Sequence, residues 1–305
     1  MKYWKASRPY SFTASLVPVL LGAAVAKLQF PRLSVDWLNF FLVLVGCVAA
    51  QAISNLVNDL ADVKTGLDKP GRGGRYHGIL SGDCTWQEIL NVVIVLAILS
   101  LAIGFYLAWV VGWKLLWLVL LSGFLAIEYT APPLKLKYRA LGDLTVLITF
   151  GIGMVVGAYV VQAYREPDVF AARNLVALAA VSVPSALHVI AILQANNHRD
   201  RDSDRESGAR TLANVLSFPA SKALLIAELV VPYLLVVVAV PLGWLPVYAL
   251  AVLLTIPPLL AILRPVFADD YRRTVPAVAK LHGQFGFLVA LAVTLQILIP
   301  IGAHR

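Results

Sequence analysis

Residues 37–62 read Trp37-Leu-Asn-Phe-Phe-Leu-Val-Leu-Val-Gly-Cys47-Val-Ala-Ala-Gln51-Ala-Ile-Ser-Asn55-Leu-Val-Asn58-Asp59-Leu-Ala-Asp62. The stretch opens as an apolar run of the length a helix needs to cross a bilayer core, about 20 residues. Lipid offers the backbone no hydrogen bonds, so a crossing segment is a helix or part of a closed barrel. Barrel strands alternate apolar and polar residues. This run does not alternate, and neither do Val92–Ala102 or Leu234–Val240, so helices are expected. The run then leaves the membrane with a polar stripe. If the helix continues, Gln51, Asn55, Asp59 and Asp62 stand at i, i+4, i+8 and i+11, which is one helix face. Lipid would penalise such a stripe, so it asks for a partner.

The rest of the chain repeats the pattern. Of its 305 residues 60% are hydrophobic and 14% charged, against about 25% charged in an ordinary soluble domain. Nine spans are expected, near 10–28, 37–58, 88–110, 113–130, 141–163, 174–196, 218–240, 244–263 and 281–301. With the N-terminus in the cytoplasm, only Lys27, Arg32, Lys114, Arg165, Arg173 and Arg305 of the 25 basic residues fall outside, leaving 19 inside. That asymmetry is the positive-inside bias. The fold class expected is an all-α integral membrane protein. It is a nine-transmembrane-helix bundle forming one domain over residues 1–305, with Asp-rich cytoplasmic loops at 59–87 and 197–217. The first span follows Lys2, Lys5 and Arg8 without a small-residue cleavage site and reads as retained. Cys47 and Cys84 imply no disulfide framework. The net charge of +8 belongs to the membrane topology, and no nucleic-acid partner is expected. Loop 264–280 reads as interfacial anchoring.

A second polar stripe leaves the sixth span on the same membrane face: Asn196-Asn197-His198-Arg199-Asp200-Arg201-Asp202-Ser203-Asp204. Here Asn196, Asp200 and Asp204 are again four apart. At about 6 Å and an effective dielectric near 20, each pair of like charges costs roughly 3 kcal/mol. A cation should therefore sit among these carboxylates. Hard carboxylate and amide oxygens suit Mg²⁺, which commonly bridges carboxylates to phosphate oxygens. Lys69, Arg72, Arg199 and Arg201 would complete a phosphate site, because arginine grips phosphate with paired hydrogen bonds. The alternative, that these residues only cap helices or face water, fits one stripe better than two of like spacing. A third cluster, Glu128-Tyr129 through Pro132-Pro133, Lys135, Lys137 and Arg139 to Asp143, is either positive-inside anchoring or a source of further diphosphate ligands. His188 is either a satisfied interior histidine or an acceptor-pocket residue, and Glu228 has no evident role.

Asn58-Asp59-x-x-Asp62 and Asp200-x-x-x-Asp204 resemble the paired motifs of the UbiA superfamily of intramembrane aromatic prenyltransferases. The continuation through Gly66 to Asp68-Lys69-Pro70 resembles the MenA branch, the 1,4-dihydroxy-2-naphthoate polyprenyltransferases of menaquinone synthesis. So do Arg8-Pro9 with Val17-Pro18, Leu141-Gly142-Asp143 with Phe150-Gly151, and Asn196-Asn197 through Thr211-Leu212. The resemblance covers about residues 8–296. It departs at Gly78-Ile79-Leu80, where many relatives have Arg-Pro-Leu. It departs again at Pro133, which fills a slot usually held by lysine after Tyr129, so Lys135 or Lys137 must substitute.

The resemblance implies Mg²⁺-dependent transfer of a polyprenyl group from polyprenyl diphosphate to an aromatic acceptor at the cell (inner) membrane, with the active site facing the cytoplasm. Asp59, Asp62, Asp200 and Asp204, with Asn55, would hold metal. Asn58, Lys69, Arg72, Lys135, Lys137, Arg139, Asn196, Asn197 and Arg199 would bind diphosphate. Tyr129, His188 and Asp143 would meet the acceptor, and Asp68 completes the first motif. The MenA branch replaces the acceptor's ring carboxylate, which leaves as CO₂. Other acceptors within the superfamily are 4-hydroxybenzoate, homogentisate, a chlorophyll precursor or a glycerol phosphate. A cation transporter would place its acids near the bilayer midplane, not at span ends. A CDP-alcohol phosphotransferase would need an Asp-Gly-x-x-Ala-Arg pattern that the chain lacks.

Overall fold

The computed structural model describes residues 2–65, 78–129, 133–206 and 208–301, apart from the side chains of Asp62 and Thr65. The expected ligands Asp68, Lys69 and Arg72, and the side chain of Asp62, lie outside the described residues. Among those described the chain is helical, with no strand.

A short helix α1 (Lys2–Ala6) and a 3₁₀ turn (Pro9–Phe12) precede α2 (Thr13–Gln29). Then follow α3 (Trp37–Thr65), α4 (Trp86–Val111) and α5 (Lys114–Glu128). One long rod is made of α6 (Gly142–Val146), a π-helical stretch (Leu147–Gly153) and α7 (Met154–Ala163). The second half holds α8 (Ala172–Arg199), α9 (Arg201–Glu206), α10 (Leu212–Val215) and α11 (Phe218–Ala239). A 3₁₀ stretch (Val247–Thr255) leads into α12 (Ile256–Phe267), and α13 (Thr274–Leu298) closes the bundle.

Eight of these rods are long and apolar enough to cross a membrane. The exception to the nine expected is α5, whose 15 residues cover about 22 Å. Its C-terminus is tied off early, because the Leu134 amide donates to the Glu128 carboxylate at 2.7 Å. Even so α5 returns the chain from the far end of α4 to the end where α3 finishes. The starts and stops elsewhere follow local chemistry. Thr85 and Glu88 form a reciprocal capping box at the start of α4, and Gly112, at φ 133°, ends that helix where other residues would be strained.

The centre of the bundle is α2 and α8. α2 packs against α7 and α13, and α8 against α11 and α13. Between apolar helices in lipid, close backbone approach supplies much of the attraction. A Cβ on Gly151 would stand 2.5 Å from Ala186 Cβ, and one on Gly22 would collide with the Val155 carbonyl. α4 lies at the periphery and turns Val95, Ile98 and Trp109 outward. Trp37, Trp113 and Trp244 are exposed near helix ends on the side where α4 finishes, as interfacial aromatics are. On that side Gln162 joins α7 to the start of α3, accepting from the Asp36 amide and donating to its carbonyl.

Candidate active site

At the opposite end, five segments meet around one cavity. α3 contributes Gln51, Asn55 and Asn58, and α8 contributes Ile192, Asn196 and Asn197. Arg8, Tyr10 and Ser11 come from the N-terminal segment, Tyr129 and Lys137 from the connection after α5, and Thr145, Thr149 and Phe150 from the α6 rod. The π-helical turn sets these last residues. Met154 donates its amide to the Thr149 carbonyl, five residues back, which widens the rod where it borders the cavity.

α3 stays helical to Thr65, so Gln51, Asn55 and Asp59 of the polar stripe read from the sequence remain on one face as the helix leaves the apolar run. Asp59 is buried and forms an ion pair with Arg8. Arg8 holds a left-handed backbone at φ 55°, ψ 62°, a conformation that costs an L-residue free energy and persists only where its surroundings require it. Asn55 donates both Nδ2 hydrogens to the same segment, to the Ser7 carbonyl and to Ser11 Oγ, each at 2.9 Å. Lys137 is buried, with its ammonium 3.4 Å from Asn58 Oδ1.

The second stripe is not one continuous helix. α8 ends at Arg199 and Asp200 leaves helical geometry at φ −100°, ψ 10°. α9 then resumes, with the Asp204 amide donating to the Asp200 carbonyl at 2.8 Å. Asp200 is gripped by its own neighbour, since Arg199 Nε and Nη2 donate at 2.8 and 2.6 Å. Asn196 accepts from Arg199 at 2.8 Å and donates to Asp200 at 3.3 Å. Asn197 is buried, borders the cavity and makes no side-chain hydrogen bond to another described residue. Asp204 is buried.

Of the expected site residues, Asn55, Asn58, Tyr129, Lys137, Asn196 and Asn197 therefore share one cavity. Asp59 and Asp200 follow immediately behind, each neutralised by an arginine. Others stand elsewhere. Lys135 and Arg139 are exposed, because the 3₁₀ turn Leu136–Arg139 rotates Lys137 inward and its neighbours out. Arg201, expected at the phosphate, instead donates to the carbonyls of Ala213 and Leu216 and to Ser221 Oγ, fastening α10. His188 is fully buried but does not border the cavity. Its Nε2 meets the Leu229 carbonyl at 3.2 Å, and its ring lies edge-on to Phe285 at 4.7 Å. Asp143 is buried behind Gly142, whose bare backbone carries the Tyr129 ring.

The donor set fits a hard divalent cation in type: carboxylates at two helix ends and an Asn55 amide oxygen that accepts no hydrogen bond from another described residue. Among the described residues no three His, Cys, Asp or Glu side chains stand together as a ready-made metal cage. That suits an ion that keeps waters and shares its shell with phosphate oxygens. Sequence reasoning missed Arg8 and Ser11. Arg8-Pro9 stood out in the sequence, but only as part of a resemblance. Nothing in one sequence signals that residue 8 reaches residue 59.

An all-helical membrane bundle with asparagines, aspartates and cations converging at one end is the architecture of an intramembrane prenyltransferase. The comparisons bear this out. The chain belongs to the UbiA prenyltransferase family, whose model matches residues 15–293. It is 28% identical over 297 residues to the 1,4-dihydroxy-2-naphthoate octaprenyltransferase of Bacillus subtilis, covering 96% of this chain and 92% of that one. Its fold is similar to that of the apo UbiA homolog from Aeropyrum pernix, with TM-score 0.71 and 18% identity over 92% of this chain and 97% of the other. It is also similar to a UbiA homolog from Archaeoglobus fulgidus bound to GPP and Mg²⁺, with TM-score 0.57 and 15% identity over 95% of this chain and 100% of the other.

Proposed function

We propose that this prenyltransferase carries a polyprenyl group from polyprenyl diphosphate to 1,4-dihydroxy-2-naphthoate, releasing CO₂ and diphosphate in a Mg²⁺-dependent step of menaquinone biosynthesis. The observation that carries the reading is the single cavity shared by Asn55, Asn58, Asn196, Asn197 and Lys137. The name of the Bacillus subtilis relative supports the acceptor, and the GPP- and Mg²⁺-bound archaeal homolog supports the donor and the metal.

In this reading Asn55, Asp59, Asp62, Asp200 and Asp204 hold Mg²⁺. When bound, it acts as a Lewis acid toward the charge gathering on the leaving diphosphate. Arg8, Asn58, Lys69, Arg72, Lys137, Asn196, Asn197 and Arg199 bind the diphosphate oxygens and stabilise the same charge. The C1–O bond of the donor breaks, and its electron pair leaves with diphosphate. The acceptor carbon that bears the carboxylate forms the new bond to C1. The carboxylate then departs as CO₂, and its bonding pair restores the aromatic ring, so no ring proton has to be removed. Tyr129 and Phe150 border the place where the ring would lie. Apolar walls from Val189, Ile192 and Leu193 keep water from the allylic cation. The chain crosses the cell membrane nine times, counting α5, with the N-terminus and active site facing the cytoplasm.

The test offers purified protein a panel of aromatic acids with prenyl diphosphates of several lengths, with and without Mg²⁺, and identifies products by mass. The expected result is prenylation of the naphthoate with loss of CO₂, and none after chelation. Product from 4-hydroxybenzoate or homogentisate alone would overturn the acceptor assignment.

A further inference from the structure

The N-terminal segment is strapped across the end of α3. Lys2 pairs with Glu88 at 2.7 Å and Lys5 with Asp83 at 3.3 Å. The Asp83 carboxyl is held below its usual range, first by the Ser81 hydroxyl and then by Lys5. Ala6 is fully buried with Leu56, Leu60 and Ile89, and Trp4 packs edge-on to Phe12 at 5.4 Å. The strap thus arrives at α3 in a fixed register.

Where it arrives, it decides which way one amide points. The Ser7 carbonyl can only accept, so the group of Asn55 that faces it must be Nδ2. The second Nδ2 hydrogen goes to Ser11 Oγ. That hydroxyl donates its own hydrogen to the Arg8 carbonyl at 2.8 Å and also lies 3.5 Å from Gln51 Nε2. With its single hydrogen spent on Arg8, Ser11 Oγ can only accept from Asn55. Both contacts require the same orientation, and a flipped amide would set its oxygen against two acceptors. Oδ1 is thereby left as the group that Asn55 offers to the cavity.

The geometry points to Ser11 as a positioning residue that fixes the Asn55 amide with its oxygen toward the metal–diphosphate site. This rests on the proposed role of Asn55. Partners that orient a ligand contribute roughly 10–100-fold to metal affinity, and without Ser11 the Asn55 amide keeps only the Ser7 carbonyl to hold it. Ser11 touches neither metal nor substrate in this scheme and acts through Asn55.

The experiment measures Mn²⁺ binding by electron paramagnetic resonance on the full-length purified protein with inorganic pyrophosphate, so no turnover is involved. Ser11→Ala and Ser11→Gly are expected to weaken Mn²⁺ binding about tenfold. Ser11→Thr, which keeps the hydroxyl, is expected to bind as wild type, and all three to melt within a few degrees of it. Wild-type affinity in Ser11→Ala would overturn the inference, as would equal weakening in Ser11→Thr. Asn55→Ala separates the two levels. If it leaves Mn²⁺ affinity unchanged, the metal role of Asn55 fails. If it weakens binding while Ser11→Ala does not, only the inference about Ser11 fails.

Discussion

The ends of α3 and α8 carry the same pattern by different means. Each presents Asn at i and Asp at i+4, Asn55–Asp59 and Asn196–Asp200, and each aspartate is paired with an arginine. At α3 the arginine comes from residue 8, far away in the chain, and the Asp59 side chain is only 2% exposed. At α8 the arginine is the preceding residue, and the Asp200 side chain is 35% exposed. The α3 end is therefore built by tertiary structure and the α8 end by local chain geometry. A buried pair loses much when one partner is removed, because the other charge stays behind unsolvated. An exposed pair loses little, since water replaces the partner.

The largest expected effect follows from that asymmetry. Asp59→Ala should lower prenyl transfer by about 10³-fold or more. It should also destabilise the protein by about 2–4 kcal/mol, below the value for a fully buried pair because Arg8 is partly solvated. Transfer assays and thermal melts in detergent read the two effects separately. Asp200→Ala comes next, with a loss of about 10²-fold or more in transfer and about 0–1 kcal/mol in stability. Equal melting temperatures for the two variants would break the comparison. Normal turnover in either would remove that aspartate from the site.

His188→Leu is expected to act more weakly and in a different currency. It removes the contact to the Leu229 carbonyl and the edge-on packing to Phe285, worth about 1–2 kcal/mol together. The KM for the aromatic acceptor should stay at the wild-type value. A tenfold rise in that KM with unchanged melting would return His188 to the acceptor pocket.

How far the sequence could be read follows the same division. Apolar length and non-alternation give the helices, and four-residue spacing gives the polar faces of α3 and α8, because both signals are local. The pair Arg199–Asp200 is local too, although the sequence points Arg199 at the phosphate. Arg8–Asp59 is not, since it depends on how the strap crosses α3. The inward turn of Lys137, between outward Lys135 and Arg139, depends on a 3₁₀ turn between left-handed residues at Lys135 (φ 47°) and Ala140 (φ 57°), and neither is a glycine. The break at Asp200 was hidden because i, i+4, i+8 spacing looks the same in one helix as in two nearly continuous ones. His188 shares the i, i+4 face with Ile192 and Asn196, yet the cavity stops short of it. Periodicity gives a residue's direction around a helix but not the depth at which a cavity ends.

The smallest effect concerns a third pair, the second of the local kind, Asp270 with Arg272, in the turn before α13. Arg272 donates through Nε at 2.9 Å and Nη2 at 2.8 Å, and its backbone amide adds a bond at 3.1 Å. These hydrogen bonds hold the Asp270 carboxyl down at about 2. A carboxyl depressed by folding contributes stability above its unfolded value, near 4, and loses it as pH falls toward about 2. The pair is open to water, so its contribution is small and screened by salt. Melting temperatures of wild type and Asp270→Asn should therefore be indistinguishable from pH 5 to 8, within about one degree. Any gap should close as pH falls from about 4 to about 2. A large gap at neutral pH would mean that this turn bears on the α8 end beside it, through the stacking of Tyr271 on His198 at 4.7 Å. In that case the end called local here would be held by tertiary structure after all.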